Sequence, residues 1–235
     1  MNAARALLAG WLLAGATVFA QAPAVPAVPT AEGEAERMLA ALGGRAAWAG
    51  VKNTVNDSQQ NRATGELAVV RAVITIDFER PRVRIETRGT NLDVVRVIDG
   101  DKHWRRMRDG KIAPIPDDVL ADDRKWYAGH VYRTIHRIAA RDPAITLRLG
   151  KDGRLEVVEK GARIAWFKLD PRGEPYNFGA HENDAGTLSG PWDFEHGGIR
   201  HPLWVSSPDG TWRANIKTLA INVPLKDELF AQPAK

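Results

Sequence analysis

The sequence predicts a mainly β protein with a few helices (α+β), built on a curved antiparallel sheet of about ten strands. From about residue 66, apolar and polar residues alternate with a period of two, which indicates strands. Glycine-containing turn signals recur between these segments every ten or so residues, as in an antiparallel meander. One stretch with helical spacing interrupts the series, and we expect helices to pack on a concave face of the sheet.

The composition restricts the class of protein. Of the 235 residues, 44% are hydrophobic and 26% are charged, which is ordinary for a soluble globular protein. These values exclude a disordered chain, a collagenous repeat and a polytopic membrane protein. The chain has no cysteine, which excludes a disulfide framework, a cysteine nucleophile, an iron–sulfur cluster and a lipid-modified N-terminal cysteine.

Residues 1–20 predict a secretory signal peptide. Arg5 supplies a positive start, an uncharged and mostly apolar stretch follows, and Val18-Phe19-Ala20 suits a signal peptidase, so we expect cleavage after Ala20. An uncleaved anchor is the alternative, although a membrane helix needs about 20 apolar residues. Residues 21–30 predict an extended linker rich in Ala, Val and Pro, and residues 31–235 predict a single domain.

The first helix is predicted directly after the linker. Its apolar face follows the i, i+3, i+4, i+7 spacing, with Ala35, Met38, Leu39 and Leu42. Thr30 can cap its start, and Gly43-Gly44 can end it in a left-handed conformation. A further short turn carries Trp48.

Two series of strands flank a long helix. The strands are predicted at residues 72–78, 83–86, 92–98, 103–108, 145–149, 155–158, 163–169, 176–180, 187–194, 200–206 and 211–223. Within 163–169, Ile164 and Trp166 lie on one face while Ala165, Phe167 and Leu169 lie on the other. Apolar residues on both faces favour helices packed against the sheet, and weak patterning at an edge is the alternative.

The long helix is predicted over residues 117–140. One of its faces carries Leu120, Tyr127, Val131, Ile135 and Ile138. Aspartates crowd its start and basic residues crowd its end, which complements the helix dipole, and Pro143 helps to end it.

Short motifs at both ends of the predicted domain are familiar. One is Leu39-Ala40-Ala41-Leu42-Gly43-Gly44 with Trp48, and the most specific is residues 221–230, Ile-Asn-Val-Pro-Leu-Lys-Asp-Glu-Leu-Phe, with Pro233 after it. With the order of elements, they resemble the outer-membrane lipoprotein-sorting (LolA/LolB-like) superfamily of periplasmic carriers. The resemblance implies an unclosed barrel around helices, with a space that accepts acyl chains. Since an anchored member would carry a lipidated cysteine, its absence implies a free periplasmic protein.

The histidines raise the question of a metal site. His196 and His201 flank a glycine turn, and His181 could add a ligand, as in loops that hold zinc. No HExxH or similar compact pattern is present, so we interpret these as polar loop residues, and His130 and His136 as surface or helix-end residues. Nucleophile-elbow, dinucleotide and phosphate-loop motifs are also absent from the sequence. We expect no metal, no cofactor and no catalytic residue, and hence no enzyme.

Residues 103–108, His-Trp-Arg-Arg-Met-Arg, combine basic side chains with an aromatic ring. Such stretches bind single-stranded nucleic acid or anionic lipid headgroups, or form an ordinary solvated hairpin. In an exported protein we expect no nucleic acid, and we keep transient contact with an anionic membrane surface as the functional alternative. The eight tryptophans favour sheet packing, with an apolar ligand wall as the sharper interpretation.

These observations predict a noncatalytic periplasmic binding protein for an apolar or amphipathic ligand, such as a lipid or a lipoprotein acyl chain. The ligand would lie between the long helix and the sheet. The predicted wall consists of Ile74, Ile76, Val83, Ile85, Leu147 and Trp166 from strands and Tyr127, Val131 and Ile135 from the helix. The alternative is an envelope protein-interaction or sensing module on the same scaffold, with a filled interior.

Overall fold

A computed structural model describes residues 28–62, 69–194 and 197–233. The predicted signal peptide lies outside the described residues, as does the linker up to residue 27. Within the described ranges, no helix has the length and apolar character needed to cross a membrane.

The described residues form one large antiparallel sheet and one small sheet. The strands are β1 Asn53–Arg62, β2 Val69–Asp77, β3 Arg82–Arg88, β4 Asp93–Asp99, β5 Lys102–Arg106, β6 Ile112–Ala113, β7 Ile145–Leu149, β8 Leu155–Glu159, β9 Ala162–Leu169, β10 Pro175–Ala180, β11 Thr187–Ser189, β12 Trp192–Phe194, β13 Arg200–Pro202, β14 Trp204–Ser206 and β15 Trp212–Ile221. As far as the structure describes the chain, the large sheet has 13 strands in the order β6-β5-β4-β3-β2-β1-β15-β14-β11-β10-β9-β8-β7, and β12 pairs with β13. Because β6 and β7 are free edges in this order, the sheet is not a closed barrel.

The centre of the large sheet joins the two ends of the domain. Strands β1 to β6 form one wing as a simple meander, and β7 to β11 form the other. The last strand, β15, pairs along β1 from Thr54↔Ile221 to Arg62↔Trp212 and connects to the other wing through β14. The two wings are therefore held together by strands that are far apart in sequence.

Four helices and one 3-10 turn accompany the sheet in the described part of the chain. They are α1 Ala31–Ala41, α2 Arg45–Ala49, α3 Asp117–Ala128, α4 Val131–Ala139 and the turn Asp227–Leu229. Helix α1 begins as predicted, because the Thr30 hydroxyl accepts a hydrogen bond from the Gly33 backbone N–H at 3.0 Å. It ends at Gly43 and Gly44, whose φ angles of 105° and 100° suit glycine.

All four helices lie on one face of the sheet, here called the helix face. The first core cluster joins α1, α2 and α4 to β8 and β9 and includes Met38, Leu39, Leu42, Trp48, Tyr132, Ile135, Leu155, Val157 and Phe167. A second cluster packs α3 on the β2–β4 wing and includes Ile76, Val83, Ile85, Ile98 and Leu120. A third lies on the opposite, outer face, where Phe230 of the C-terminal segment covers Val95, Val97 and Trp104.

The predicted long helix is wrong in one respect, since it is two helices separated by Gly129 and His130. At Gly129 the backbone passes so close to β9 and β10 that any Cβ would collide with the Ile164 carbonyl oxygen and the Ala180 side chain. His130 is extended, with φ −60° and ψ 131°, and precedes the first turn of α4. A tertiary contact therefore breaks a helix whose local sequence pattern is continuous.

The predicted number of strands is too low. Strand β1 was not predicted because its sequence, NTVNDSQQNR, carries almost no apolar alternation. The predicted strands 187–194 and 200–206 are each divided, at Gly190-Pro191 and at Leu203. The backbone stays hydrogen-bonded across both interruptions, because the Gly190 N–H donates to the Trp204 carbonyl and the Leu203 N–H donates to the Pro191 carbonyl, each at 2.9 Å.

Candidate functional site

A cavity of about 280 Å³ lies on the helix face, between the α3–α4 junction and the centre of the large sheet. Its wall is formed by Asn56, Gln60, Ile74, Trp126, Gly129, His130, Val131, Tyr132, Phe178, Gly179, Ala180, Asn183, Thr187, Pro202, Val205, Trp212, Ala214 and Ile216. Asn183 is exposed, so the cavity reaches the solvent on that side.

The sheet side of the cavity follows from strand register. Asn56 of β1 stands opposite Ile74 of β2, and Gln60 stands opposite Ala214 of β15. Ala214 in turn stands opposite Val205 of β14. Residues paired directly across neighbouring strands point to the same face, so these side chains converge although they come from distant parts of the sequence.

The helix side depends on the break between α3 and α4. His130 lies in the break, between Trp126 of α3 and Tyr132 of α4, with ring centroids 4.7 Å and 5.3 Å away in edge-to-face geometry. An unbroken helix would continue past the sheet here. Instead, the break brings the first turn of α4 to the cavity wall.

Burial sets the protonation of the two titratable rings in the wall. Burial, with the nearby Arg133 cation, lowers the pKa of His130 to about 3, so the imidazole is neutral at neutral pH. Burial also raises the pKa of the Tyr132 hydroxyl well above its usual value, and this side chain stays uncharged too. Neither ring brings an ionic charge to the cavity.

The polar groups of the wall are amides, two hydroxyls, an imidazole and two indole N–H groups. The Asn183 side chain is occupied, because its Oδ1 accepts a hydrogen bond from the Gly186 N–H at 3.1 Å. Gln60 and Thr187 make no side-chain hydrogen bond with any described residue. Asn56 Oδ1 and His130 Nδ1 are shielded from solvent and also lack a partner within the described ranges.

Two of the nine residues predicted to contact a ligand, Ile74 and Val131, line this cavity. Ile76, Val83 and Ile85 are buried under α3, and Tyr127 packs against the same cluster. Ile135 is fully buried in the core between α1, α2 and α4, and Leu147 packs at the edge of that core. Their contact with a ligand stays a prediction, but they do not form one wall.

Trp166 was placed on the wrong face. It stands opposite Gly179 and Glu156, on the outer face, while Phe167 points to the helices. Its ring is covered by the Arg154 guanidinium, 5.0 Å from the ring centroid, and its Nε1 donates to the Asn183 carbonyl at 2.9 Å. Lys168 shares this face of β9, and that polar neighbour was the signal in the sequence for the correct orientation.

Other cavity residues were missed because no local pattern reveals them. Phe178, Val205, Trp212 and Ile216 lie on strands that the sequence predicts, at least in part. However, only the non-sequential order β1-β15-β14-β11 brings them opposite α4. Asn56 and Gln60 were missed together with β1 itself.

Several described histidines make hydrogen bonds within the fold. His181 Nε2 is 2.8 Å from the Lys125 carbonyl, and His136 Nδ1 is 3.0 Å from the Trp48 carbonyl. His201 is buried, and His196 lies outside the described residues. His130 and His136 are half-buried and lie at the two ends of α4, so they are helix-end residues, as one of the two interpretations expected. No group of three metal-ligating side chains occurs among the described residues.

The basic stretch 103–108 does not form a single basic surface. Trp104 is buried on the outer face, where its Nε1 donates to the Phe230 carbonyl at 3.0 Å. Arg105 alternates to the helix face, and Arg106 lies 3.5 Å from Asp93. Contact of this stretch with an anionic membrane surface stays a prediction.

Comparisons with known proteins leave the family open. No protein-family model matches the chain, and no curated protein matches it. The solved structure of an uncharacterised conserved protein from Thermus thermophilus aligns with 86% of this chain and 94% of its own, at 11% identity and a TM-score of 0.34. A likeness at that level supports no argument about function.

Proposed function

We propose that the protein is a noncatalytic binding protein, which takes up a small apolar or amphipathic ligand in the cavity beside the α3–α4 junction. The observation that carries the proposal is an interior space of about 280 Å³ walled mainly by apolar and aromatic side chains. Small-molecule sites are concave and mostly apolar, and they contain a few polar groups. Their volumes start at about 300 Å³. A well-packed core leaves little such space.

The size of the cavity limits the ligand. At about 280 Å³, the cavity lies at the small end of ligand sites, which suits one short chain or the end of a longer one. Burial of the chain would provide about 0.8 kcal/mol per CH₂ group. A lipid or lipoprotein acyl chain, entering by the side at Asn183, is the candidate that the sequence resemblance adds to this proposal. Export to the periplasm and an unclosed barrel around the helices belong to the same proposal.

The second candidate is the interaction or sensing module with a filled interior. The observation in its favour is that five of the nine residues of the predicted ligand wall, including Ile76 and Ile135, are buried. The two candidates differ in whether the cavity accepts added volume.

A cavity-filling variant distinguishes them. Ala214 points into the cavity, whereas Ala220 on the same strand stands opposite Val55 on the outer face. In an open site, Ala214→Phe should abolish binding of 1-octanol and keep the melting temperature, while the control Ala220→Phe should bind like the wild type. Trp126 and Trp212 line the cavity, so tryptophan fluorescence should report binding.

The opposite result would favour the interaction module. If wild-type protein binds neither 1-octanol nor any lipid detectable by mass spectrometry after gentle purification, the binding proposal fails. In that case Ala214→Phe should overpack the interior and lower the free energy of unfolding by about 1–3 kcal/mol.

A further inference from the structure

The described wall of the cavity carries no charged side chain. None of its residues is Asp, Glu, Lys or Arg, although 26% of the chain is charged. A buried carboxylate or phosphate is strongly disfavoured unless a cation or several hydrogen-bond donors replace its water. The wall therefore lacks the partner that an anionic headgroup requires.

Three cations on the elements beside the cavity are engaged elsewhere. Arg62 of β1 stands opposite Trp212 on the same face, but it is exposed and does not belong to the wall. The Arg133 guanidinium lies 4.7 Å from the Tyr127 ring centroid and donates to the Ala128 carbonyl at 3.2 Å. Lys125 lies 3.4 Å from Glu182, and Arg163 lies 2.7 Å from Asp184. Moving any of them to a ligand would break a contact that the structure already makes.

The amino-terminal end of α4 is the one described feature at the cavity that favours negative charge. Its first backbone N–H groups have no side-chain cap, and a helix end acts as about half a positive charge. That partial charge does not offset the desolvation of a full anion. A neutral oxygen, such as a carbonyl or hydroxyl, accepts the same hydrogen bonds at a smaller desolvation cost.

The remaining polar groups match a neutral headgroup. The side chains of Gln60 and Thr187 make no hydrogen bond in the described part of the chain, and each offers both a donor and an acceptor. The unpartnered Oδ1 of Asn56 and Nδ1 of His130 lie within the same wall. Such groups pair with a hydroxyl or amide, which also offers both.

We propose that the cavity selects an uncharged amphiphile, whose short apolar part fills the space and whose hydroxyl or amide headgroup pairs with Gln60 and Thr187. This inference rests on the proposed binding function and narrows its ligand to neutral molecules. It excludes a carboxylate or phosphate headgroup from the cavity wall, whereas a longer lipid that inserts only the end of its acyl chain would leave its headgroup in the solvent.

The first test compares headgroups on one chain length. Isothermal titration calorimetry at pH 7.5 with 1-octanol, octanamide and octanoate should show each neutral ligand binding at least tenfold more tightly than octanoate. Octanoate binding as tightly as the neutral ligands would overturn the inference and leave the binding function intact. Failure of all three to bind would overturn both.

The second test supplies the missing cation. Thr187 points into the cavity, whereas Leu188, the next residue of β11, stands opposite Ser206 on the outer face. Thr187→Lys should strengthen octanoate binding at least tenfold, and the control Leu188→Lys should leave it unchanged. If both variants bind octanoate as the wild type does, the absent cation is not what excludes the anion, and the inference fails.

The third test addresses the hydrogen bonds. Gln60→Leu should weaken octanamide binding about tenfold, while the control Gln59→Leu, on the outer face of the same strand, should have no effect. Equal octanamide affinity in both variants and the wild type would remove Gln60 from the site and contradict the assigned headgroup contact.

Discussion

His130 combines two constraints in one side chain. It occupies the extended link between two helices, and its ring lies between Trp126 and Tyr132 at the cavity wall. Burial of the ring and the nearby Arg133 cation both disfavour its protonated form, so the neutral ring is preferred in the folded state. The residue therefore ties the stability of the junction to pH.

The direction of this pH effect follows from the shift in the pKa of His130. The folded value of about 3 lies below the usual value of 6.5, so the unfolded chain binds a proton first as pH falls. The free energy of unfolding should be unaffected by His130 well above pH 6.5 and should fall by about 2 kcal/mol between pH 7 and pH 5. The pKa of His136 is also lowered by burial and adds to the same trend.

Urea unfolding at pH 7 and pH 5 measures the effect. His130→Phe keeps an aromatic ring in the junction and should remove most of the loss assigned to this residue. The control His136→Gln should retain it. An equal loss of stability in His130→Phe and the wild type would mean that the imidazole is accessible to protons in the folded state.

At the scale of elements, the α3–α4 break determines which residues form the helix side of the cavity. It exists because β9 and β10 leave no room for a side chain at Gly129. The local sequence contains strong helix signals on both sides, and the close approach of the sheet overrides them. The break thus depends on tertiary packing, and it requires glycine at position 129.

Gly129→Ala should destabilise the protein by about 1–3 kcal/mol, because the added methyl group overpacks against backbone that cannot retreat. The matched control is Gly50→Ala at the end of α2, where φ is −81° and the nearest neighbour of an added Cβ would be 3.4 Å away. That control should be close to neutral. Chemical denaturation compares the two, and equal stabilities would show that the junction can move away from β9 and β10.

Elements with strong local signals were predictable from the sequence, and those created by pairing were not. Helix α1 was predicted from Thr30 and Gly43, and β7 was predicted with its observed bounds from Pro143 and the following turn. Strand β1 is polar throughout most of its length and is a strand because β2 and β15 pair on either side of it. Ile74 and Val131 were predicted as cavity residues, while Trp212 depends on strand order that no local pattern contains.

At the scale of the whole molecule, the central pairing of β1 with β15 dominates the topology. The paired residues of these strands are separated by 150 to 167 residues along the chain, as the register from Arg62↔Trp212 to Thr54↔Ile221 shows. Closing such a long loop is entropically unfavourable until many contacts form together. Before this pairing forms, β1 lacks one of its two neighbouring strands, and the two wings are not joined.

Folding should accordingly be slow, with a refolding time of milliseconds to seconds or longer, as is typical of non-local β pairing. Stopped-flow tryptophan fluorescence after dilution from urea measures the rate. A fully folded signal within microseconds would show that the wings fold independently of the β1–β15 pairing. A rate limited by proline isomerisation would instead be accelerated by a prolyl isomerase.

The two edges of the large sheet in the described part of the chain, β6 and β7, differ in what they offer to a second copy of the molecule. Edge strands are templates for aggregation, and β6 is only two residues long. Strand β7 offers five residues, about 17 Å of backbone, and carries the charged Arg148 near its end. If copies of the molecule paired edge to edge, as in the first step toward fibrils, β7 would offer only a short strand with a charged residue, and β6 would offer almost no backbone to pair with.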